Sequence, residues 1–292
     1  MQIRNVGFMT PGDMGQAVAM QIKAAGFNVL TALDKRSERS RTLGREAGLT
    51  DVGTIPKLVA ESDVVLSVMN PGAAVEFAGE IADAIRSSKR PILFADCNAV
   101  APDTTHQIAK LIQDAGGRYL DGGIIGPPPR NKKTNLYISG PGAADLKPLA
   151  TQFLQVHILS ERIGDASALK MCYGALNKGT QALWLEILIA AQRLGVAEQL
   201  DKQVRASHGD RLEGILEQLP TMPPKAYRWV PEMLEISKTL GSAGITPKVF
   251  QGAADIYKFV ATTPLGKETP EQVRDNERSG KAVVESLAQA RR

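Results

Sequence analysis

The stretch Gly7-Phe8-Met9-Thr10-Pro11-Gly12-Asp13-Met14-Gly15 decides how the chain folds. It closes an apolar run, Ile3 to Met9, that reads as a strand, and opens Asp13 to Ala25, which reads as a helix. A glycine turn at such a junction is where a dinucleotide-binding α/β fold receives a pyrophosphate. Glycines let backbone N–H groups come close, and the helix N-terminus adds a favourable dipole. Against the pattern GxGxxG the turn reads Thr10-x-Gly12-x-x-Gly15, with Thr10 at the first glycine and Pro11, whose φ is fixed, making the turn by another route. Thr10, Pro11, Gly12, Asp13, Met14 and Gly15 are the candidate cofactor-binding residues here, a purely structural turn being the alternative.

Working outward, the same alternation repeats through the first half of the chain. Asn28 to Leu33, Val64 to Met69, Pro91 to Asp96 and Arg118 to Asp121 read as strands; Ser37 to Ala47, Ala74 to Ser87 and Pro102 to Ala115 read as helices between them. Repeated β-α-β units predict a Rossmann-type, doubly wound parallel sheet. Leu136 to Gly140 and Val156 to Ile163 read as two last strands, around a short helix starting near Ala143. After Gly164 strand signals almost vanish, which predicts a dinucleotide-binding domain over 1–164 and an all-helical substrate and dimerisation domain over 165–292. Ser167 to Leu194 is apolar enough to need cover from its own domain or from a second subunit, which points to a homodimer. Pro220 to Pro224 reads as a hinge, Val230 to Ala243 and Lys248 to Val260 as helices, and the tail from Pro270 as a surface helix.

Composition excludes several function classes. The chain has 292 residues, 43% hydrophobic and 23% charged, with a formal net charge of +4. That is ordinary for a chain of about two domains and lacks the clustered basic stripe that nucleic acid requires. Two cysteines, Cys97 and Cys172, support neither a disulfide framework nor a cysteine zinc site, and three histidines without metal-ligand spacing leave no metal site; a reducing cytoplasm fits. The N-terminus lacks the apolar core of a signal peptide, and the longest apolar stretch, Ala182 to Ala191, is too short to span a bilayer.

The end of the second strand bears on the cofactor. An acidic residue there bonds the ribose hydroxyls of NAD, whereas cations accommodate a 2′-phosphate. The chain offers both, in Leu33-Asp34-Lys35-Arg36-Ser37. Lys35, Arg36 and Ser37 form a cationic, hydroxyl-bearing cradle, which favours NADP(H) with NAD(H) possible. The alternative is a solvated charged loop.

Taken together, the segments resemble the β-hydroxyacid dehydrogenase family, the relatives of 3-hydroxyisobutyrate and 6-phosphogluconate dehydrogenases. The family's GFIGLGxMG matches Gly7 to Gly15, its ADVVxTMLP matches Ser62 to Pro71, and its DxSTxxP matches Asp96 to Pro102. Its DAPVSGG corresponds to Asp121 to Pro127, and its GxxxxxKxxNN to Gly164 to Gly174 with Lys170 at the lysine. Departures fall on the substrate side: Asn98 and Ala99 replace Ser-Thr, Ile125 replaces a serine, and Tyr173-Gly174 replaces an asparagine pair. With Arg228 to Met233 they resemble a variant branch carrying a small C-terminal domain of unassigned function.

The resemblance implies a dimer and assigns Lys170 as general acid/base for carbonyl and hydroxyl interconversion. A lysine near the start of an apolar helix suits that work, because burial lowers its proton affinity. It places Met69 and Asn70 beside the cofactor. Asn98, at the carboxyl edge of the fifth strand, is a candidate for cofactor or substrate, or a turn-stabilising residue. Gly122 and Gly123, read as a loop, offer backbone N–H groups to a substrate, and Ile124 with Ile125 makes an apolar wall. Arg130, Lys132 and Lys133 read as a solvated loop, His106 and His157 as structural, His208 as loop-like. Trp229 and Tyr227 are candidates for the substrate pocket or the core. The sequence thus predicts an NAD(P)-dependent oxidoreductase acting on a small hydroxy acid or related compound. Its alternatives are an imine reductase of the same fold and a catalytically silent NADP-binding sensor.

Overall fold

A computed structural model describes the chain apart from Met1, Thr10, Pro270, Glu271, Arg274, Asp275, Arg291 and Arg292. It divides into two compact units, Met1–Tyr173 and Gly174–Arg292.

The first unit alternates β1 (Asn5–Met9), α1 (Asp13–Ala24), β2 (Asn28–Thr31), α2 (Glu38–Glu46), β3 (Thr50–Asp51), α3 (Ile55–Glu61), β4 (Val64–Ser67), α4 (Ala74–Ser88), β5 (Leu93–Asp96), α5 (Pro102–Asp114) and β6 (Arg118–Ile125). Then come β7 (Thr134–Ser139), β8 (Leu154–Ser160) and α6 (Asp165–Gly174). The eight strands form one sheet in the order β3-β2-β1-β4-β5-β6-β7-β8. All neighbours are parallel except β6 and β7. β4 is buried along its whole length because both faces of a parallel sheet are covered. Phe8, Val18, Ile22, Leu66 and Leu120 fill one face, and Met9, Val65, Ile81, Phe94 and Tyr119 the other. Strand order reverses between β1 and β4, which makes the crevice at their carboxyl ends the place where an open α/β sheet takes a ligand.

Three differences from the sequence reading stand out in this unit. β3 and α3 escape the periodicity argument because a two-residue strand and a seven-residue helix are too short to show a period. β6 runs past Asp121 to Ile125, since β7 pairs with it from Asp121↔Ser139 to Ile125↔Asn135. Gly122 and Gly123 are therefore strand residues, a correction to their reading as a loop. Steric room explains them: a Cβ on Gly122 would lie 2.6 Å from Cys97 Sγ, and one on Gly123 would lie 2.7 Å from the Ala166 carbonyl oxygen. The compact unit also extends past residue 164, because buried side chains of β6 and β7 hold the start of α6.

The second unit holds α7 (Thr180–Arg193), α8 (Ala197–Gln218), α9 (Ala226–Ser242), α10 (Lys248–Thr262) and α11 (Gly280–Gln289). The apolar stretch Ser167 to Leu194 is helical but passes through a π-helical turn, Ala175–Gly179, that follows Gly174 and ends on Gly179, residues that hold α-helical geometry weakly. His208, read as loop-like, lies within α8 at a kink, with φ −146° and ψ 35°. The expected tail helix starts at Gly280, where the Ser279 hydroxyl accepts from Ala282 N–H.

Candidate active site

The glycine turn leads directly into α1. Gly12 caps the helix in an extended conformation, and among the described residues no side chain caps its first turn. A Cβ added to Gly12 would meet nothing within 4 Å among the described residues, so there is open space beside the turn. Pro11 and Gly15 are buried and Met14 packs on the core. Asp13 is exposed and pairs at 2.8 Å with Arg130, whose Nη2 also reaches Gln16 Oε1 at 3.2 Å. The candidate Thr10 lies outside the described residues. An uncapped helix N-terminus facing open space fits the pyrophosphate of a dinucleotide.

Next to it, the end of β2 is tied to the β3 end. Asp51 Oδ1 accepts from Leu33 N–H at 3.0 Å and Gly53 N–H at 2.8 Å, and Asp34 N–H donates to the Gly53 carbonyl. Lys35 adopts a left-handed φ of 60° and Arg36 N–H donates back to the Leu33 carbonyl, a tight turn that leaves Lys35 exposed and Arg36 half-buried. The Ser37 hydroxyl caps α2 by accepting from Ser40 N–H at 3.3 Å.

At the ends of β4 and β5, Asn98 is 2% exposed. Its Oδ1 accepts from Met69 N–H at 2.6 Å, and its Nδ2 donates to Ser67 Oγ at 2.8 Å and to Asp96 Oδ1. Both ends of the amide thus brace the segments after β4 and β5. Asn70 accepts from Gly72 N–H at 3.1 Å, capping a short 3₁₀ turn.

A highly connected side chain lies in the middle of β6, level with the end of β5. Buried Asp121 accepts from Ser139 Oγ (3.0 Å), Gly164 N–H (3.0 Å) and Ser167 N–H (2.9 Å) on Oδ2, and from Ser167 Oγ (2.6 Å) on Oδ1. Ser139 Oγ also accepts from Ala166 N–H at 3.0 Å, and Thr105 Oγ1 lies 2.8 Å from Ser167 Oγ. Together these side chains cap α6. One turn further, α6 carries half-buried Lys170, whose Cβ lies 3.3 Å from where a Gly123 Cβ would stand. Burial raises the Asp121 carboxyl above its usual range, opposed by the donors from Ser167, Ser139 and Gly164. Asp96, its neighbour in register, is pushed up to about 7, first by burial and then by Asp121; Asn98 and Lys170 act the other way. Burial likewise raises the Cys97 thiol.

The structure gathers the glycine turn, Lys35, Arg36, Met69, Asn70, Asn98, Gly122, Gly123 and Lys170 at the carboxyl edge of one sheet. Ile124 is elsewhere: it belongs to the core cluster with Leu120, Leu136 and Ile138, which corrects its reading as a substrate wall. In the second unit, Trp229 packs edge-on against Tyr257 at 5.1 Å, with Lys178 above its ring and ion-paired to Glu232, while Tyr227 is exposed. No cluster of three His, Cys, Asp or Glu side chains able to hold a metal occurs among the described residues. None of these helices is long and apolar enough to cross a membrane. Sequence reasoning missed Asp96, Asp121, Ser139, Ser167 and Thr105 as site-building groups. The available signal was an aspartate ending an apolar strand, in Leu93-Phe94-Ala95-Asp96 and Tyr119-Leu120-Asp121.

Comparison with known proteins bears directly on this edge. The family model for the NAD binding domain of 6-phosphogluconate dehydrogenase matches residues 5–157, and one described as a domain of unknown function (DUF1932) matches residues 191–260. An uncharacterised 28.5 kDa protein of Methanothermus fervidus is 25% identical over 256 residues, 87% of this chain and 98% of that protein. The mitochondrial 3-hydroxyisobutyrate dehydrogenase of Mus musculus is 25% identical over 210 residues, 71% of this chain and 59% of that protein. Among solved structures, 3-hydroxyisobutyrate dehydrogenase of Mycobacterium tuberculosis with L-serine shares the fold at a TM-score of 0.71 and 18% identity, over 99% of this chain and 100% of that one. A reductive aminase of Aspergillus terreus, in complex with NADPH and ethyl-5-oxohexanoate, shares it at 0.52 and 18%, over 94% and 99%. With its amino-terminal half matched by that NAD-binding model and followed by a domain of unknown function, the chain belongs to the β-hydroxyacid dehydrogenase family of NAD(P)-dependent oxidoreductases.

Proposed function

We propose that the protein interconverts a carbonyl and a hydroxyl on a small hydroxy acid or related compound, with NADP(H) preferred over NAD(H) and Lys170 as general acid/base. The observation that carries this reading is the seat of Lys170. The lysine projects from a helix whose start is held by Asp121, and its Cβ packs against Gly123. A bound nicotinamide supplies or accepts the hydride at the substrate carbon. In reduction the Lys170 ammonium donates its proton to the oxygen that becomes the hydroxyl, and in oxidation neutral Lys170 takes that proton back. The N–H groups from Gly12 to Gly15 hold the pyrophosphate, with Pro11 shaping the turn and Thr10 counted in the same cofactor-binding segment. Lys35, Arg36 and Ser37 receive a 2′-phosphate, Met69 and Asn70 flank the cofactor, and Asn98 fixes the segment they lie on. Gly122 and Gly123 let the substrate approach the backbone.

A homodimer is part of the reading: Leu176, Leu183, Ile187 and Leu194 stand exposed at spacings of seven, four and seven along the π turn and α7, a stripe suited to a second copy. Both cysteines are free, as suits the cytoplasm. The likeness in fold to a reductive aminase supports a second reading, reduction of an imine.

Incubating the protein with NADPH or NADH and panels of ketoacids, aldehydes and cyclic imines separates the readings. The expected result is NADPH oxidation with a carbonyl substrate, lowered at least ~100-fold by Lys170→Ala with NADPH binding intact. Turnover of imines alone favours the second reading. Tight NADPH binding without turnover favours a silent sensor, and near-normal turnover in Lys170→Ala removes the lysine from the mechanism.

A further inference from the structure

The loop between β6 and β7 brings a cation to the glycine turn. Its residues, Gly126-Pro127-Pro128-Pro129-Arg130-Asn131-Lys132-Lys133, include three cations and no carboxylate. β6 lies three places from β1 in the sheet, on the β4 side of the point where strand order reverses. Arg130 nevertheless touches the first turn of α1. Its Nη2 donates to Asp13 Oδ1 at 2.8 Å and to Gln16 Oε1 at 3.2 Å, and lies 3.5 Å from the Asp13 carbonyl oxygen. The loop is stiff: three prolines fix φ, Thr134 Oγ1 donates to the Pro127 carbonyl, and Arg130 N–H donates to the Pro128 carbonyl at 2.8 Å. Its backbone is therefore set before a ligand arrives, which lowers the entropy cost of binding one.

The contact has the chemistry of an anion site whose counter-ion is already in place. An acidic side chain in a first helical turn suits the helix dipole, but it repels a pyrophosphate brought to the same N–H groups. Arg130 balances that charge. Only its Nη2 is engaged: Nη1 and Nε have no hydrogen-bond partner among the described residues, and the side chain is 46% exposed. A guanidinium held by one nitrogen keeps the rest of its planar fork for a second oxyanion. Lys132 and Lys133, exposed on the same loop, add positive potential.

Resting on the reading of the α1 turn as the pyrophosphate site, we propose that Arg130 is a further cofactor-binding residue. Its free nitrogens take a pyrophosphate oxygen while Nη2 stays on Asp13. One arginine thus screens the acidic residue of the turn and holds the dinucleotide from the β6 side of the sheet.

Binding, rather than turnover, tests this. In isothermal titration calorimetry, Arg130→Ala is expected to bind NADPH at least ~tenfold more weakly, and to bind 2′-AMP, which lacks the pyrophosphate, as the unaltered protein does. Unchanged NADPH affinity, or an equal loss for 2′-AMP, overturns the proposal. Adding Asp13→Asn to Arg130→Ala is expected to recover only part of the loss, because the bared carboxylate is gone but the arginine's own contact is not restored. Full recovery means that Arg130 merely screens Asp13, and overturns the direct contact. A further arm uses the unaltered protein. Saturating NADPH is expected to slow phenylglyoxal modification of Arg130 several-fold, as followed by peptide mass spectrometry, and 2′-AMP is expected to leave it unchanged. Equal rates with and without NADPH, or equal protection by 2′-AMP, overturn the proposal. Gly12→Ala keeps the two readings apart. Weaker NADPH binding in Gly12→Ala but not in Arg130→Ala removes this inference and leaves the turn as the cofactor site; the opposite result removes the turn and leaves Arg130.

Discussion

The N-termini of α1 and α6 meet the same polar requirement in opposite ways. Each helix begins with N–H groups that lack intrahelical partners. At α6 the protein satisfies them itself: Asp121 takes Gly164 and Ser167 N–H, and Ser139 takes Ala166 N–H, all in the interior. At α1, among the described residues, no side chain caps the first turn, and a Cβ on Gly12 would meet nothing within 4 Å. A helix end closed by buried side chains fixes the residue one turn on, here Lys170. A helix end left open has donors and a dipole to offer a phosphate. One end is therefore closed by buried side chains, and the other, in the function proposed, is left for binding.

Substitutions at the two ends probe this contrast directly. The largest effect is expected from Asp121→Ala, which strands the α6 donors in the interior and costs roughly 3 kcal/mol of unfolding free energy in urea titration. A loss below a few tenths of that would mean that α6 is held elsewhere. Gly12→Ala acts in the opposite manner. Its Cβ has room in the protein alone, so unfolding should barely change, but it occupies the space of the approaching pyrophosphate and should weaken NADPH binding about tenfold, roughly 1.4 kcal/mol, by calorimetric titration. Equal affinity in that variant would take the glycine turn out of the cofactor site. Smallest is Arg130→Ala. Its ion pair with Asp13 is about half exposed on both sides and should contribute less than about 0.5 kcal/mol to stability, so a larger loss would make Arg130 a hidden cap of α1.

Much of the fold was legible because its signals are local. The strands β1, β2, β4 and β5 announce themselves as apolar runs, and α4 and α5 as periodic stretches beside them. The extension of β6 was not legible, since Gly122 and Gly123 look like a turn until β7 pairs with them and Cys97 and Ala166 crowd them. The π-helical turn in the long helix was equally hidden, because Ala175–Gly179 differs from its flanks in hydrogen-bond register more than in composition. At the site, the glycine turn stood out by its residues between a strand and a helix, and Lys170 only by the resemblance of its segment to a family motif. Asn98 was readable as important, but its partners, Met69, Ser67 and Asp96, come from three different places in the chain.

The sequence by itself determined the class of fold, because apolar periodicity is a property of short segments, and, through the resemblance of its motifs, the family; it also marked the glycine turn before α1. Only the tertiary structure decided that Asp121 caps α6 across forty-six residues and that Asp96 lies beside it in register. Burial and the approach of distant groups set the protonation of a carboxylate, and neither exists until the strands are side by side.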